Sequence, residues 1–517
     1  MSLPGDAERH ERPPSPSWLI VFYSNMFFGC AGFSIVLPTL WPYLRQMDAS
    51  TEFLAAVVAA YSVGEGLGGW TSGWLYHRYP EHPKALLLGG MAIGLLAAAS
   101  YVVAGMFGSA AAFVVLVARF ASGLDNGIRQ TIEQTFIGSK IPARHQTSCS
   151  SRLSSCGITG IMMGPALGAP LQAIDFKFLG VTVDGNNGPG VVLLFVCIMN
   201  ILMSYRFFSV ESRRGPSGVS QPRLEASESQ DRRGFRPPNK RGLLVCYMVF
   251  FGVNLNMASL ETITPVLAQR LYGWGPCLNP AECPFQATQI YVNLLLSCGG
   301  LLSLAMAALM AFYLGPYIYR REVVAITLSH AVSVLVNLGN IDCGGSLPAY
   351  RFVLDYLLGA FFGGLARGPG VALMAQIIGP HPKAAYMGLL FAIGAVPRIV
   401  GPFLFVELLQ LPSPSHTADF AYVYEGPLPR TWLLYGCQTA VFLVIFLSVQ
   451  IFRKDLKPHP MHGDITSCRD LSEPLIKEDC SPGTCTDVIP NTPSLVREGI
   501  ASFEDLTRNA SSRSMLG

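Results

Sequence analysis

The stretch LIVFYSNMFFGCAGFSIVLPTL, Leu19 to Leu40, contains no charged side chain. A helix rises 1.5 Å per residue, so about 20 apolar residues cross the ~30 Å hydrocarbon core of a bilayer. The stretch meets that length, and eleven more along the chain read the same way. The twelve expected spans are 18–41, 53–76, 84–106, 110–136, 150–173, 189–209, 242–269, 287–314, 321–340, 350–378, 384–410 and 430–452. Composition agrees: 50% of the 517 residues are hydrophobic and 13% charged, roughly half the charged share of soluble domains. The fold class expected is an all-α polytopic membrane protein whose first partner is the lipid bilayer.

Residues 1–17, MSLPGDAERHERPPSPS, are polar and Pro-rich. They lack the apolar core and small-residue cleavage site of a removable signal peptide, so the first span is expected to drive insertion. Lys and Arg fix the orientation. HRYPEHPK, SKIPARH, the segment from Arg213 to Arg241, YRRE and HPK fall on one side of the membrane, with roughly fifteen basic residues against about five on the other. Arg45, Lys177, Arg270 and Arg430 are among those five. Both termini are therefore expected in the cytosol. The net charge of +3 resides mostly in those loops. No basic stretch is interleaved with exposed aromatics, so nucleic acid is not an expected partner.

Thirteen cysteines are scattered along the chain, with no CxxC or Cys/His cluster at metal-ligand spacing. No metal or cofactor is expected. Cys277 and Cys283 share one loop, GPCLNPAECP, on the oxidising side; a disulfide and two free thiols are both open readings there. No nucleophile–base pair or phosphate loop appears, which argues against an enzyme.

The chain is organised in two halves. A basic, Pro-, Gly- and Ser-rich segment, 210–241, separates 18–209 from 242–452 and reads as an unpacked cytosolic linker. Residues 453–517 read as a disordered cytosolic tail. Gly123 and Gly127 have counterparts in Gly359 and Gly363, and Gly164-Pro165 in Gly401-Pro402, each shifted by roughly 236 residues; Pro38 and Pro265 are a looser pair. Six spans repeated in the same order imply parallel repeats about the membrane normal, with a substrate site between them near the midplane.

Charges inside spans are costly and mark function or ion pairing. In LVARFASGLDNGIRQTIEQTF, Leu116 to Phe136, the residues Arg119, Asp125, Arg129, Glu133 and Asn126 fall within an arc of roughly 120°. Asp125, Arg129 and Glu133 are spaced as an ion-pair ladder. Two readings stand side by side: a structural ladder, or a polar wall of a central pathway. Glu65, in YSVGEGLGGW, has no basic partner within helical reach and suits a proton carrier or a neutral, hydrogen-bonded carboxyl. Glu261, four residues before Pro265 in NMASLETITP, suits a kinked pathway or gate. Asp355, Arg367 and Arg398 suit substrate contacts or ion pairs between halves. The proton-coupling candidates are Glu65, Glu133 and Glu261.

These residues resemble the major facilitator superfamily. Arg119 and Gly123 match the Arg-x-x-x-Gly pattern of that superfamily's fourth span. Gly160, Gly164-Pro165 and Gly168 resemble the Gly-Pro hinge of its fifth. SGWLYHRYPEHPK keeps Gly73, Leu75 and Arg78 of the gating motif, with His77 where the superfamily carries aspartate. Longer stretches, among them GFSIVLPTLWPYLRQMD and IIGPHPKAAYMGLLFAIGAVPRIVGPF, are similar to the lysosomal domain-containing-protein-8 family associated with neuronal ceroid lipofuscinosis. The resemblance covers roughly 18–410. It implies the major facilitator fold and an endolysosomal or vacuolar membrane transport protein for a small solute, with chloride conduction as the associated activity. Asp125, Glu133 and Glu65 stand where that family is expected to carry other residues.

The leading expectation is thus transport of a small, anionic substrate, chloride first, through a cavity lined by Arg119, Asp125, Arg129, Glu133, Asp355, Arg367 and Arg398. A proton-coupled organic-anion transporter is the alternative. A non-transporting receptor or scaffold on the same fold is the rival of another class. Gly73, Arg78, Gly164, Pro165, Pro265, Gly401 and Pro402 are expected at hinges and gates. In the tail, Ser472 to Ile476 (SEPLI) resembles an acidic dileucine sorting signal, with Glu473, Leu475 and Ile476 facing a sorting adaptor. The sequon at Asn509 falls in the cytosolic tail, so no luminal N-glycan is expected.

Overall fold

A chain segment in lipid must satisfy its own backbone hydrogen bonds, and the long apolar runs do so as helices. The computed structural model describes residues 16–168, 176–178, 181–183, 185, 187–208, 237–272, 274, 287–341, 347–409 and 431–458. The chain divides into a compact unit ending at Met461 and a second unit, His462–Gly517, outside the described residues. So are the linker core, the Cys277–Cys283 loop, the Glu473, Leu475 and Ile476 signal and the Asn509 sequon.

The helices are α1 (Ser17–Arg45), α2 (Thr51–Arg78), α3 (Pro83–Val103), α4 (Ala111–Lys140), α5 (Ala143–Gly168), α6 (Gly188–Phe207), α7 (Lys240–Tyr272), α8 (Ala287–Leu309), α9 (Glu322–Gly339), α10 (Ala349–Ile378), α11 (Ala384–Leu409) and α12 (Thr431–Ile451). Their ends follow local chemistry. Ser50 caps α2 by accepting from the Phe53 amide at 3.2 Å. Pro83 opens α3, where its missing N–H costs nothing. Gly108, at φ +53°, turns the 3₁₀ segment Ala104–Ala110 into α4.

Among the described residues, ten stretches are long and apolar enough to cross a membrane; one of them, Pro83–Lys140, takes in both α3 and α4. The helix outside that set is α5. It starts at Ala143, seven residues before the apolar run at 150, and its first turns, ARHQTSCSSRLSS, are polar. Gln146, Thr147, Ser148, Ser150 and Ser151 are nonetheless buried, because they meet protein rather than lipid. A second departure from the sequence reading is a small antiparallel hairpin, β1 (Phe176–Phe178) and β2 (Val181–Val183), with Phe176 opposite Val183. The alternation in FKFLGVTV is its only signal in sequence.

Each half owns an apolar core. Phe22, Leu87, Ile132 and Phe136 centre one on α1, α3 and α4; Val249, Phe250, Met374 and Ile445 centre another on α7, α10 and α12. Within the first half, α2 and α4 touch backbone to backbone. A Cβ added at Gly64 or Gly68 would overlap the carbonyls of Phe120 and Leu124, and one at Gly123 or Gly127 those of Tyr61 and Glu65. Two small-xxx-small stripes therefore face each other, the packing lipid favours. Gly160 and Gly164 bring α5 as close to α1, against Phe27, Ala31 and Ser34.

The halves meet along α2 and α11. Gly73 faces Ala384 and Gly388, Gly69 faces Phe391, and Gly66 faces Ala395. At the end carrying the basic turns, polar bonds add to this seam. Ser148 Oγ donates to the Ala311 carbonyl (2.7 Å), Thr147 Oγ1 to Glu322 Oε1 (3.0 Å), and Lys383 Nζ to the Gly138 carbonyl. Gln376 also donates to Glu322 Oε1 (3.0 Å). Glu322 is 1% exposed, so this carboxylate joins α5, α9 and α10 out of water.

Candidate functional site

Between the halves lies a polar cavity. From the first half it is lined by Phe33, Tyr61, Glu65, Asn126, Gln130 and Ser154; from the second by Asn254, Met257, Arg367 and Arg398. Its centre is an ion pair between halves: Arg398 Nη1 of α11 donates to Glu65 Oε2 of α2 at 2.8 Å, with the side chains 19% and 9% exposed. Asn126 Nδ2 and Gln130 Nε2 of α4 donate to Glu65 Oε1 at 3.0 and 2.9 Å. Those amides sit one turn apart, and the glycine contact of α2 with α4 brings them within reach. The carboxylate thus accepts three bonds, two from neutral amides and one from a guanidinium. Arg398 also lies over the Phe33 ring, 5.4 Å from its centroid.

The charged stripe of α4 divides. Asn126 and Gln130 face the central cavity, while Arg119, Asp125 and Arg129 line a second cavity walled by α1, α2, α3, α4 and α6 of the first half. There Arg129 Nε pairs with Asp125 Oδ1 at 3.4 Å, and its Nη1 donates to the Asn25 carbonyl at 2.7 Å. Its Nη2 donates to Asn126 Oδ1 at 3.2 Å. Glu133, 1% exposed, accepts from Asn25 Nδ2 at 3.2 Å. Asn25 also donates to Ser204 of α6 at 3.2 Å, so this network ties α1, α4 and α6 together. Glycine makes the room: a Cβ at Gly29 would strike the Arg129 guanidinium, and one at Gly94 the Asp125 carboxyl.

Of the residues proposed from sequence, then, Glu65, Arg367 and Arg398 come together at the central cavity. Arg119, Asp125, Arg129 and Glu133 gather inside the first half. Asp355 sits beside Gly339 of α9, away from the residues lining either cavity. Glu261 and Pro265 lie on α7, and Pro165 and Pro402 on α5 and α11; their side chains fall outside the described residues. Gly73 occupies the closest crossing of α2 and α11, Gly164 packs on Ser34, and Gly401 is buried on α11. Arg78 is exposed at the end of α2. Sequence reasoning missed Gln130, Phe33, Tyr61 and Asn254. The Asn126/Gln130 spacing of four was the available signal for an amide pair on one face. No group of three or more His, Cys, Asp or Glu able to hold a metal occurs among the described residues.

Comparison with known proteins sets this geometry in context. The family model described as Major Facilitator Superfamily matches residues 22–402. The chain is 24% identical over 450 residues to major facilitator superfamily domain-containing protein 8 of Xenopus laevis, covering 76% of this chain and 86% of that protein. In fold it is similar to the human organic anion transporter MFSD10 (TM-score 0.59, 17% identity, 85% of this chain and 100% of the other). It is also similar to the proton:xylose symporter XylE (0.60, 12%, 86% and 95%). FucP in its outward conformation gives 0.57 at 14% identity, covering 84% and 98%. With a family model spanning most of its length, this chain belongs to the major facilitator superfamily and is an integral membrane transporter, not an enzyme.

Proposed function

We propose that this transporter moves a small anion across an endolysosomal or vacuolar membrane, through the central cavity, with both termini in the cytosol. The observation that carries the reading is the Arg398–Glu65 pair closing across that cavity, with Arg367 on the same lining. Two arginines of the second half face one carboxylate of the first. A guanidinium stays charged at any working pH and offers a fork of donors to an anion. While Glu65 holds Arg398, that charge is neutralised and the halves are joined. An entering anion takes Glu65's place on Arg398 and releases the joint, which couples occupancy to the rocking of one half against the other. Glu65 is then left with the amide donors of Asn126 and Gln130. Among the described acids proposed as proton carriers, Glu65 is the one lining this cavity.

Chloride is the first substrate, on the resemblance of the longer stretches to the domain-containing-protein-8 family; the lysosomal setting rests on the same ground. An organic anion is the second, and one observation favours it. The arginine already holds a carboxylate, Glu65, so the geometry suits carboxylate exchange. The human relative in fold, described as an organic anion transporter, is consistent with that reading. The remaining finer expectations are a luminal Cys277–Cys283 bridge and an adaptor docking at Glu473, Leu475 and Ile476.

The test is purified protein in proteoliposomes, wild type beside Arg398→Gln, with chloride current and organic-anion exchange measured at several luminal pH values. Anion flux lost in the variant, at equal reconstitution, supports the reading. Equal flux in both proteins, or none for any anion from folded wild type, overturns it. The latter outcome points to a solute that is not an anion.

A further inference from the structure

The cavity inside the first half takes no part in the exchange at Arg398, yet it holds a buried cation that no acid answers. Arg119 is 2% exposed. Its Nε and Nη2 have no hydrogen-bond partner, and among the described residues no carboxylate lies within ion-pair distance of it. What it touches are two ring faces, Tyr61 at 4.7 Å and Phe33 at 5.4 Å. The other arginine on this cavity, Arg129, is paired with Asp125. Asp125 lies six residues along α4 from Arg119, about 9 Å of helix rise. Ring faces attract a cation but leave its N–H donors unfilled, and buried donors without partners in a cavity point to an ion or water there.

The rings also reach the central cavity. Phe33 lies 5.4 Å from Arg119 and 5.4 Å from Arg398, and Phe33 and Tyr61 line both cavities. Their centroids are 4.6 Å apart. The pair stands where the two cavities meet, with Arg119 lining one and Arg398 the other.

We infer that the cavity walled by α1, α2, α3, α4 and α6 is a second anion site, in which Arg119 and Ser122 hold a compact monovalent anion of halide size beside the Phe33–Tyr61 pair. The walls set the size. The cavity leaves about 40 Å³ of open space, which takes a single-atom ion and has no room for a carboxylate with a carbon skeleton. The site does not depend on what the central cavity carries, since none of its donors comes from the second half.

The experiment is bromide bound to full-length wild-type protein, located by anomalous diffraction at the bromine edge in a bromide-only buffer. A peak in contact with Arg119 and away from Arg398 is the expected result. No peak there, or peaks only beside Arg398 or Arg367, overturns the inference. Radioactive chloride binding to protein in nanodiscs supplies the variant arm: Arg398→Gln retains a bound chloride and Arg119→Gln loses it, with at least a tenfold drop in affinity. Arg119→Lys, which keeps the charge, partly restores binding if Arg119→Gln fails to fold. Equal anion flux in wild type and Arg398→Gln, or none from folded wild type, with the bromide peak intact, would refute the central-cavity reading alone.

Discussion

Two clusters of buried charge lie within a few helical turns of each other and differ in one respect: which halves they join. The Arg129–Asp125 pair, with Asn25, Glu133 and Ser204, is contained in the first half and fastens α1, α4 and α6. The Arg398–Glu65 pair has one member in each half. Groups that share a rigid body keep their partners while that body rocks; groups on opposite bodies must part. On the proposed mechanism, similar chemistry is a strut in the first place and a latch in the second.

The largest effect expected from this contrast is on stability. Arg129→Ala leaves Asp125 buried without its cation, a change that costs about 3–5 kcal/mol for buried pairs. The melting temperature of the purified protein should fall sharply. A variant that melts like the wild type yet has lost flux would turn the strut into a transport group. Arg398→Gln should do the reverse. It leaves Glu65 with its two amide donors, so the melting temperature should fall less than for Arg129→Ala. Anion flux should fall roughly ten- to hundredfold, the equivalent of a charge-assisted bond worth about 1.5–3 kcal/mol. A collapse of melting would break the comparison from the other side.

Glycines sharpen it at smaller amplitude. Gly127→Ala forces a methyl into the Glu65 carbonyl inside the first half and should destabilise by about 1–3 kcal/mol, as overpacking does. Gly73→Ala puts the same methyl between the halves, against Ala384 and Gly388. Its expected signature is a several-fold slower exchange rate at nearly unchanged melting temperature. Equal melting shifts in the two variants would mean that the α2–α11 seam does not open.

The smallest effect is on pH. Burial pushes the Lys383 amine, outside the spans, down to about 8, while a hydrated lysine titrates near 10.4. Between these values the closed seam binds fewer protons than an open one, so raising the pH from about 8 to about 10 favours closure. Below pH 8 both forms are protonated and the effect vanishes. Distances between spin labels on the two lips of the basic end should shorten over that window, and Lys383→Met should remove the dependence. Lengthening with pH would show that the amine is not buried on closure.

Much of the architecture was legible because apolar length is a one-dimensional property: runs such as Leu19–Leu40 and the Gly–Pro repeats announce helices and halves. The start of α5 was not, since its serines and Gln146 are polar by type and buried by neighbours that only the folded chain supplies. The site was legible in its residues but not in its pairings. Glu65 has no cation along its own helix, and Arg398 comes to it from 333 positions away. On α4, helical periodicity gathers Arg119, Asp125, Asn126 and Arg129 on one arc, but an arc wide enough for five residues meets two cavities. Asn126 looks into one while Asp125, its neighbour, looks into the other.

The backbone contact of α2 with α4 bears on the timing of that latch. Helices that touch carbonyl to glycine have no side chains between them to yield, so Glu65, Asn126 and Gln130 travel as one solid piece. The Arg398 Nη1–Glu65 Oε2 bond should then part from that piece without a series of half-held positions. The release should be a single event with one relaxation time, closer to the click of a toggle than to the drift of a spring.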